Sequence, residues 1–177
     1  FLTSANSINV ARWLPQQFYY FFAYKQWKYK ETPPVFSVPS GNFGNICAGL
    51  LAYRCGLPVD HFIAACNTND TVAQYLAGSA YQPGDVKYTY SNAMDVADPS
   101  NFIRIMELFV DREHIRQMLT AYSINDAETF NTIRDVYNRE QYTLDPHGAV
   151  AYLALDKYLS AHPSSKGIFL ETAHPVK

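Results

Sequence analysis

The sequence predicts an α/β fold, with a small, mostly parallel sheet and many helices. Two observations carry this. Short runs rich in β-branched and aromatic residues, such as Val35-Phe36-Ser37-Val38 and Gly167-Ile168-Phe169-Leu170-Glu171, are set between longer stretches of helical period. The resulting order is helix, strand, helix, strand, several helices, strand, which is the pattern of a sheet with covering helices. Over 177 residues, 48% hydrophobic and 17% charged, one real core is possible and an acidic or basic disordered tail is excluded. There is no internal repeat or low-complexity segment. Residues 1–177 read as a single domain, weakest at 79–97.

Residues 1–30 read as a loop and then a helix, with Ser4, Asn6 and Ser7 as N-cap candidates. Ile8, Ala11, Leu14, Phe18, Phe21 and Phe22 recur near the helical period and form the expected inner stripe. Pro15 should kink this helix, and the aromatic stretch 18–24 is expected to be buried between layers or subunits. Lys25, Lys28 and Lys30 with Thr32-Pro33-Pro34 form a polar exit. A buried strand at 35–38 leads into the turn 39–45, then a helix over 46–55 that Gly56 closes. His61 to Cys66 is a second strand. A short helix over 71–77 follows, ended by Gly78. A short strand is expected at 87–90. Asp98-Pro99 reads as an N-cap with proline at the first helical position, opening helices over 99–110 and 112–121. Asn125 or Asp126 opens another, running to about Glu140. Pro146 starts one ending near Ser160, and 167–171 is the last strand.

Charge and composition narrow the function. Fourteen basic against sixteen acidic residues leave a net charge of −2, which argues against a nucleic-acid partner. No run of about 18 apolar residues exists, so no membrane span is expected. The cysteines, Cys47, Cys55 and Cys66, are odd in number and lack CxxC spacing, which fits core packing in a reducing, cytoplasmic setting. The histidines show no ligand spacing, so no metal site is expected.

Three local features could carry chemistry. Ser40-Gly41-Asn42-Phe43-Gly44-Asn45 follows a strand and opens a helix. Its glycines permit close backbone approach, and the helix start offers unsatisfied N–H groups, together an anion cradle suited to phosphate. An ordinary strand-to-helix turn would look the same. Ser4-Ala5-Asn6-Ser7-Ile8-Asn9 with Arg12 places amides, hydroxyls and a guanidinium at another helix start, fit for phosphate or carboxylate; redundant capping with a surface arginine is the plainer reading. Thr172, at a strand end, could hydrogen-bond a ligand ring nitrogen or simply cap the strand.

Six runs in order resemble the threonine synthases, pyridoxal-phosphate enzymes of the tryptophan synthase β-like family. They are the Ser4 and Ser40 segments above, with Val38-Pro39 leading into the latter. Ala65-Cys66-Asn67-Thr68-Asn69-Asp70 and Ser91-Asn92-Ala93-Met94-Asp95-Val96 follow. The last two are Asp145-Pro146-His147-Gly148-Ala149-Val150-Ala151-Tyr152 and Thr172-Ala173-His174-Pro175-Val176-Lys177. The resemblance implies part of a three-layer αβα large domain and the cofactor pyridoxal 5'-phosphate. It implies conversion of O-phosphohomoserine and water to threonine and phosphate, the final step of threonine biosynthesis. Ser40, Gly41, Asn42, Phe43, Gly44 and Asn45 would hold the cofactor phosphate, mainly through backbone N–H groups, and Thr172 would face the pyridine nitrogen. Asn6, Ser7 and Arg12 would bind the substrate phosphate, and residues 92–95 would shape the site.

One departure matters. The family's Schiff-base lysine lies in a motif ahead of the first matched run, and none of the lysines here sits in such a motif. The resemblance therefore implies a C-terminal portion, a single partial domain over 1–177, inactive alone and with no catalytic residue of its own. Its expected partners are the small-molecule substrate and the missing N-terminal half. Self-association through uncovered apolar surface is also expected. Two alternatives stand beside this: a non-catalytic phosphate- or nucleotide-binding domain, and a related enzyme such as a threonine dehydratase or cysteine synthase. The 6–12 segment argues against the latter, whose substrates carry no phosphate on the amino acid.

Overall fold

The computed structural model describes residues 8–109 and 111–175. Four parallel strands form one sheet in the order β3-β2-β1-β4. They are β1 (Val35–Pro39), β2 (His61–Cys66), β3 (Leu119–Ser123) and β4 (Gly167–Phe169). Strands β1 and β2 are buried at every position, because helices cover both faces. Side chains alternate across the pleat. Phe36, Val38, Phe62 and Ala64 enter one core with Tyr20, Ile46 and Leu50. Val35, Ile63 and Ala65 enter the other with Val150, Ala154 and Tyr158. The expected three-layer α/β/α arrangement is therefore present.

The first layer holds α1 (Val10–Gln26) and α2 (Gly44–Arg54). Asn9 caps α1, its Oδ1 accepting from Ala11 N–H at 3.0 Å; Ser4, Asn6 and Ser7 lie outside the described residues. The helix runs through Pro15. Its buried residues are Trp13, Gln17 and Tyr20, a set spaced by one turn. The inner stripe anticipated from Leu14, Phe18, Phe21 and Phe22 instead faces out, with Phe18 60% and Phe22 61% exposed. Both faces of this helix are apolar, so periodicity alone could not choose between them. The fit of Tyr20 decided it: a methyl group on Gly49 of α2 would sit 2.6 Å from the Tyr20 ring. The bare glycine lets the two helices close.

Helix α2 ends as expected, with Gly56 at φ 97°, a left-handed cap glycine. Then come α3 (Thr71–Leu76), a 3₁₀ turn (Asn92–Met94), α4 (Phe102–Leu108) and α5 (Arg112–Met118). The strand expected at 87–90 does not form; side chains of Asn69 and Asp95 take up backbone N–H groups there instead of a ladder. Asp98 does not cap α4, which begins after Asn101; Asp98 Oδ1 accepts from the Tyr81 hydroxyl at 2.8 Å.

Residues 119–121, expected to end the helix over 112–121, instead open the edge strand β3, which pairs with β2 from Phe62↔Leu119 to Cys66↔Ser123. Ile115, Leu119 and Tyr122 carry helical spacing, and tertiary pairing overrode it. On the second face lie α6 (Asp126–Glu140) and α7 (Pro146–Ala161). Asn125 and Glu128 make a full capping box for α6. Asp145 caps α7, with proline in its first turn. Ser37 of β1 donates to Ala151 O at 2.7 Å, pinning α7 to the sheet.

His61 opens β2 and is buried beneath Tyr158, ring centroids 5.0 Å apart, with Nε2 2.8 Å from Thr120 Oγ1. Burial pushes its pKa down from 6.5 to about 4, against the opposing pull of the Asp60 carboxylate. The folded state holds His61 uncharged where the unfolded chain would take up a proton. Its contribution to stability is thus complete above the unfolded value and is lost as pH falls towards about 4. Thermal unfolding between pH 7 and 4 should show a decline worth on the order of 3 kcal/mol from this group. His61→Gln should flatten that decline, and an identical pH profile in the variant would contradict the assignment.

Candidate active site

Strand β1 is flanked by β2 on one side and β4 on the other, so the chain leaves it in opposite directions. Open parallel sheets form a crevice at the carboxyl ends of strands where this happens. Residues 40–45 leave the end of β1, and Thr172 follows the end of β4. The β1–β4 ladder ends at Ser37 and Phe169, Leu170 N–H still donates to Ser37 O at 2.9 Å, and just beyond it Asn45 and Thr172 line one cavity. Two of the three sequence candidates therefore meet.

The loop is built for close backbone approach. A Cβ on Gly41 would lie 2.6 Å from Met94 Cα and 3.0 Å from Ala93 O, so the 3₁₀ turn packs directly on the glycine. Phe43 adopts a left-handed conformation, φ 61° and ψ 12°, just before α2. Such a residue costs about 1–3 kcal/mol in strain; the buried Phe43 ring, edge-on to Phe102 at 5.8 Å, offsets it.

The loop side chains are committed to structure. The Ser40 hydroxyl donates to Val38 O at 2.8 Å. Asn42 Oδ1 accepts from Ser100 N–H at 2.7 Å and from its hydroxyl at 2.8 Å. Asn42 O accepts from Asn101 Nδ2 at 2.8 Å. The backbone differs: among the described residues, the N–H groups of Gly41, Phe43, Gly44 and Asn45 donate to no protein acceptor. N–H groups left over at and before the positive end of α2 suit a phosphate dianion.

The loop is braced from the α1 side. The Tyr20 hydroxyl, fully buried, lies 3.0 Å from Asn45 O and 2.9 Å from Asn45 Oδ1 and donates to that pair. Burial, and then the nearby Cys47 thiol, push its pKa well up, so it remains a donor. The Cys47 thiol, one turn into α2, is itself raised to about 12 by burial and is a packing group.

Two cavities flank Thr172. One, of about 420 Å³, is lined by Gln16, Tyr19, Asn45, Glu171 and Thr172 among others. The second, of about 410 Å³, is lined by Asn92, Ala93, Asp145, His147, Thr172 and His174 among others. The Thr172 hydroxyl is exposed and makes no hydrogen bond among the described residues. It is a neutral group able to donate or accept. Arg12 lies exposed one turn before Gln16, on the helix face that carries Gln16 and Tyr19 to the first cavity. Asn6 and Ser7 lie outside the described residues. Among the described residues, no group of histidines, cysteines and carboxylates could hold a metal ion.

Sequence reasoning missed Gln16, Tyr19 and the Asp145–His147 pair. Tyr19 belongs to the aromatic stretch 18–24 read as packing, and Gln16 carried no signal of its own. The proline-marked start of α7 was legible, but not that it borders the crevice.

A family model for pyridoxal-phosphate dependent enzymes matches residues 4–170. The threonine synthase of Haemophilus influenzae is 46% identical over 177 residues, covering 99% of this chain and 41% of its own length. The crystal structure of threonine synthase from Escherichia coli superposes with a TM-score of 0.91 at 46% identity, over 98% of this chain and 40% of that one. The PLP-bound threonine synthase from Brucella melitensis gives a TM-score of 0.89 at 33% identity, over 98% and 42%. The chain thus spans about 41% of the length of the curated relatives it matches.

The brace predicts a variant effect. Tyr20→Phe keeps the ring and removes the only group tying Tyr20 to Asn45. Denaturant unfolding should show a loss of about 1–2 kcal/mol. Hydrogen exchange should quicken selectively at amides 47–49, the first bonded amides of α2; unchanged protection there would disprove the brace.

Proposed function

The chain belongs to the pyridoxal-phosphate dependent enzyme family, and from that premise we propose that it is the sheet-bearing part of a threonine synthase. The whole protein would convert O-phosphohomoserine and water to L-threonine and phosphate, with pyridoxal 5'-phosphate as cofactor. The observation that carries this reading is the meeting of an N–H cradle and a neutral hydroxyl at the adjoining ends of β1 and β4.

The cradle fits the cofactor's phosphate. Gly41, Phe43, Gly44 and Asn45 would hold it through backbone N–H groups, with Ser40 and Asn42 fixing the loop's shape. Thr172 would face the ring nitrogen. A hydroxyl there, unlike a carboxylate, does not hold that nitrogen protonated. Bound pyridoxal phosphate supplies an electron sink for carbanions at the substrate carbons. Arg12, with Asn6 and Ser7, would hold the substrate's own phosphate, one helical turn from the first cavity.

The described lysines stand elsewhere: Lys157 pairs with Glu128 at 2.7 Å, and Lys166 lies over the Tyr29 ring. The lysine that moves protons is proposed to come from the remainder of the parent protein, which makes this chain alone inactive. Residues 1–177 would form a single partial domain. A cytoplasmic setting is consistent with three unpaired cysteines, two of them buried. No described helix is long and apolar enough to cross a membrane.

Arg12→Ala in the parent protein should retain pyridoxal-phosphate binding by absorbance. It should lose roughly 10–100-fold in kcat/KM for O-phosphohomoserine, the worth of a charge-assisted contact. Full turnover would remove Arg12 from the site, and a wild-type protein that neither binds the cofactor nor releases phosphate would reject the reading. The isolated chain leaves Leu14, Phe18 and Phe22 exposed along one side of α1, and we propose that it self-associates. Sedimentation should show oligomers; a monodisperse monomer would refute this.

A further inference from the structure

Resting on the cofactor reading above, we infer that His147, held by Asp145, is a positioning residue for the phosphate cradle and acts through the backbone of Ala93. The pair sits at the start of α7, on the opposite side of the sheet's crevice from α1. Asp145 is buried, and His147 nearly so. Their contact, His147 Nδ1 to Asp145 Oδ1, is 2.6 Å. Asp145 Oδ1 also accepts from His147 N–H at 2.8 Å, and Oδ2 accepts from Gly148 N–H at 3.3 Å. The imidazole is therefore fixed in place by the helix cap itself.

Its far nitrogen reaches the cradle's support. His147 Nε2 lies 3.3 Å from Ala93 N. A backbone N–H can only donate, so Nε2 accepts and the ring proton rests on Nδ1, facing Asp145. Ala93 belongs to the 3₁₀ turn whose backbone presses on Gly41, with Ala93 O and Met94 Cα at 3.0 and 2.6 Å from where a Cβ would stand. At that spacing, a shift of the turn by a few tenths of an ångström must be felt by the loop. The other end of the turn is held by Asp95, which accepts from Asn67 Nδ2 at 2.8 Å and from Thr89 N–H at 3.0 Å. His147 supplies the matching hold on Ala93.

The same cap reaches the ring side of the site. Asp145 N–H donates to Glu171 Oε1 at 3.1 Å, and Glu171 immediately precedes Thr172. One buried pair thus ties the phosphate side of the crevice to its ring side. Neither residue needs to touch the cofactor to do so.

Two near-isosteric variants of the parent protein separate this role from general packing. In His147→Gln, the side-chain oxygen can reach the place of Nε2 and accept from Ala93. In His147→Asn, the shorter amide can serve Asp145 but cannot reach Ala93. The readout is the ratio of affinities for pyridoxal phosphate and pyridoxal, measured by titration. Both probes carry the same aldehyde, so the ratio isolates the phosphate. The ³¹P resonance of the bound cofactor is recorded alongside.

We expect His147→Gln to keep the wild-type preference within about threefold, and His147→Asn to lose it by about tenfold, the scale of one hydrogen bond. The ³¹P shift should move in the Asn variant alone. Equal preferences in the two variants, or a larger loss in Gln, would overturn the inference. A wild-type protein with no preference for the phosphorylated probe would instead reject the cradle reading, and this inference with it.

Discussion

Strand β1 is hydrogen-bonded in parallel along both edges, and its two ladders run out at nearly the same level. Ser40 N–H donates to Ala65 O at 2.8 Å on the β2 side, and Leu170 N–H to Ser37 O at 2.9 Å on the β4 side. Past those bonds the chain must diverge, since β2 and β4 lead away in opposite directions. The divergence opens a crevice. Around that crevice stand α2, α1, the 3₁₀ turn and the start of α7. Each reaches it by a specific contact rather than by general packing: Tyr20 to Asn45, Met94 to Gly41, His147 to Ala93.

The segment between α3 and α4 has little regular structure, yet it holds one wall of the crevice. Its order comes from buried polar groups that are mutually satisfied. Asn67, at the end of β2, gives its amide to Thr89 Oγ1 and Asp95 Oδ1, each at 2.8 Å. Asn69 gives its amide to Lys87 O at 2.8 Å and takes Lys87 N–H at 2.8 Å. An unmade hydrogen bond at such a buried site costs about 1–3 kcal/mol. The network therefore holds one conformation much as a ladder would.

Much of this was legible in the sequence because local signals and tertiary demands agree. The strand, turn and helix around 35–55 each have their own chemistry, and the glycine-rich loop had to fall at a strand end. Pro146 at the start of α7, and Asn125 as one of two candidates for the start of α6, are signals of the same kind. Legibility failed where two readings share one pattern. Leu119 to Ser123 carries helical spacing, and only pairing with β2 makes it a strand. Helix α1 is apolar on both faces, and only the fit of Tyr20 over Gly49 shows which turns in. In the candidate site, the loop and Thr172 could be found singly. That they stand side by side is a matter of strand order, which no local window contains. His147 was weighed as a metal ligand and set aside; its partner is a backbone amide distant in sequence, invisible to spacing.

The architecture also sets an order of events in time. Ser37 and its α7 partner Ala151 are 114 residues apart, and β4 is made later still. Contacts of such long range are slow to form, because the loop-closure entropy precedes the reward. On a ribosome, β1 and β2 would emerge and pair early, while the other edge of β1 waits until residues 167–169 have been made. During that interval an apolar strand edge is open to wrong partners. The crevice is thus completed among the last events of folding, and a nascent chain lacks one of its walls until β4 has docked.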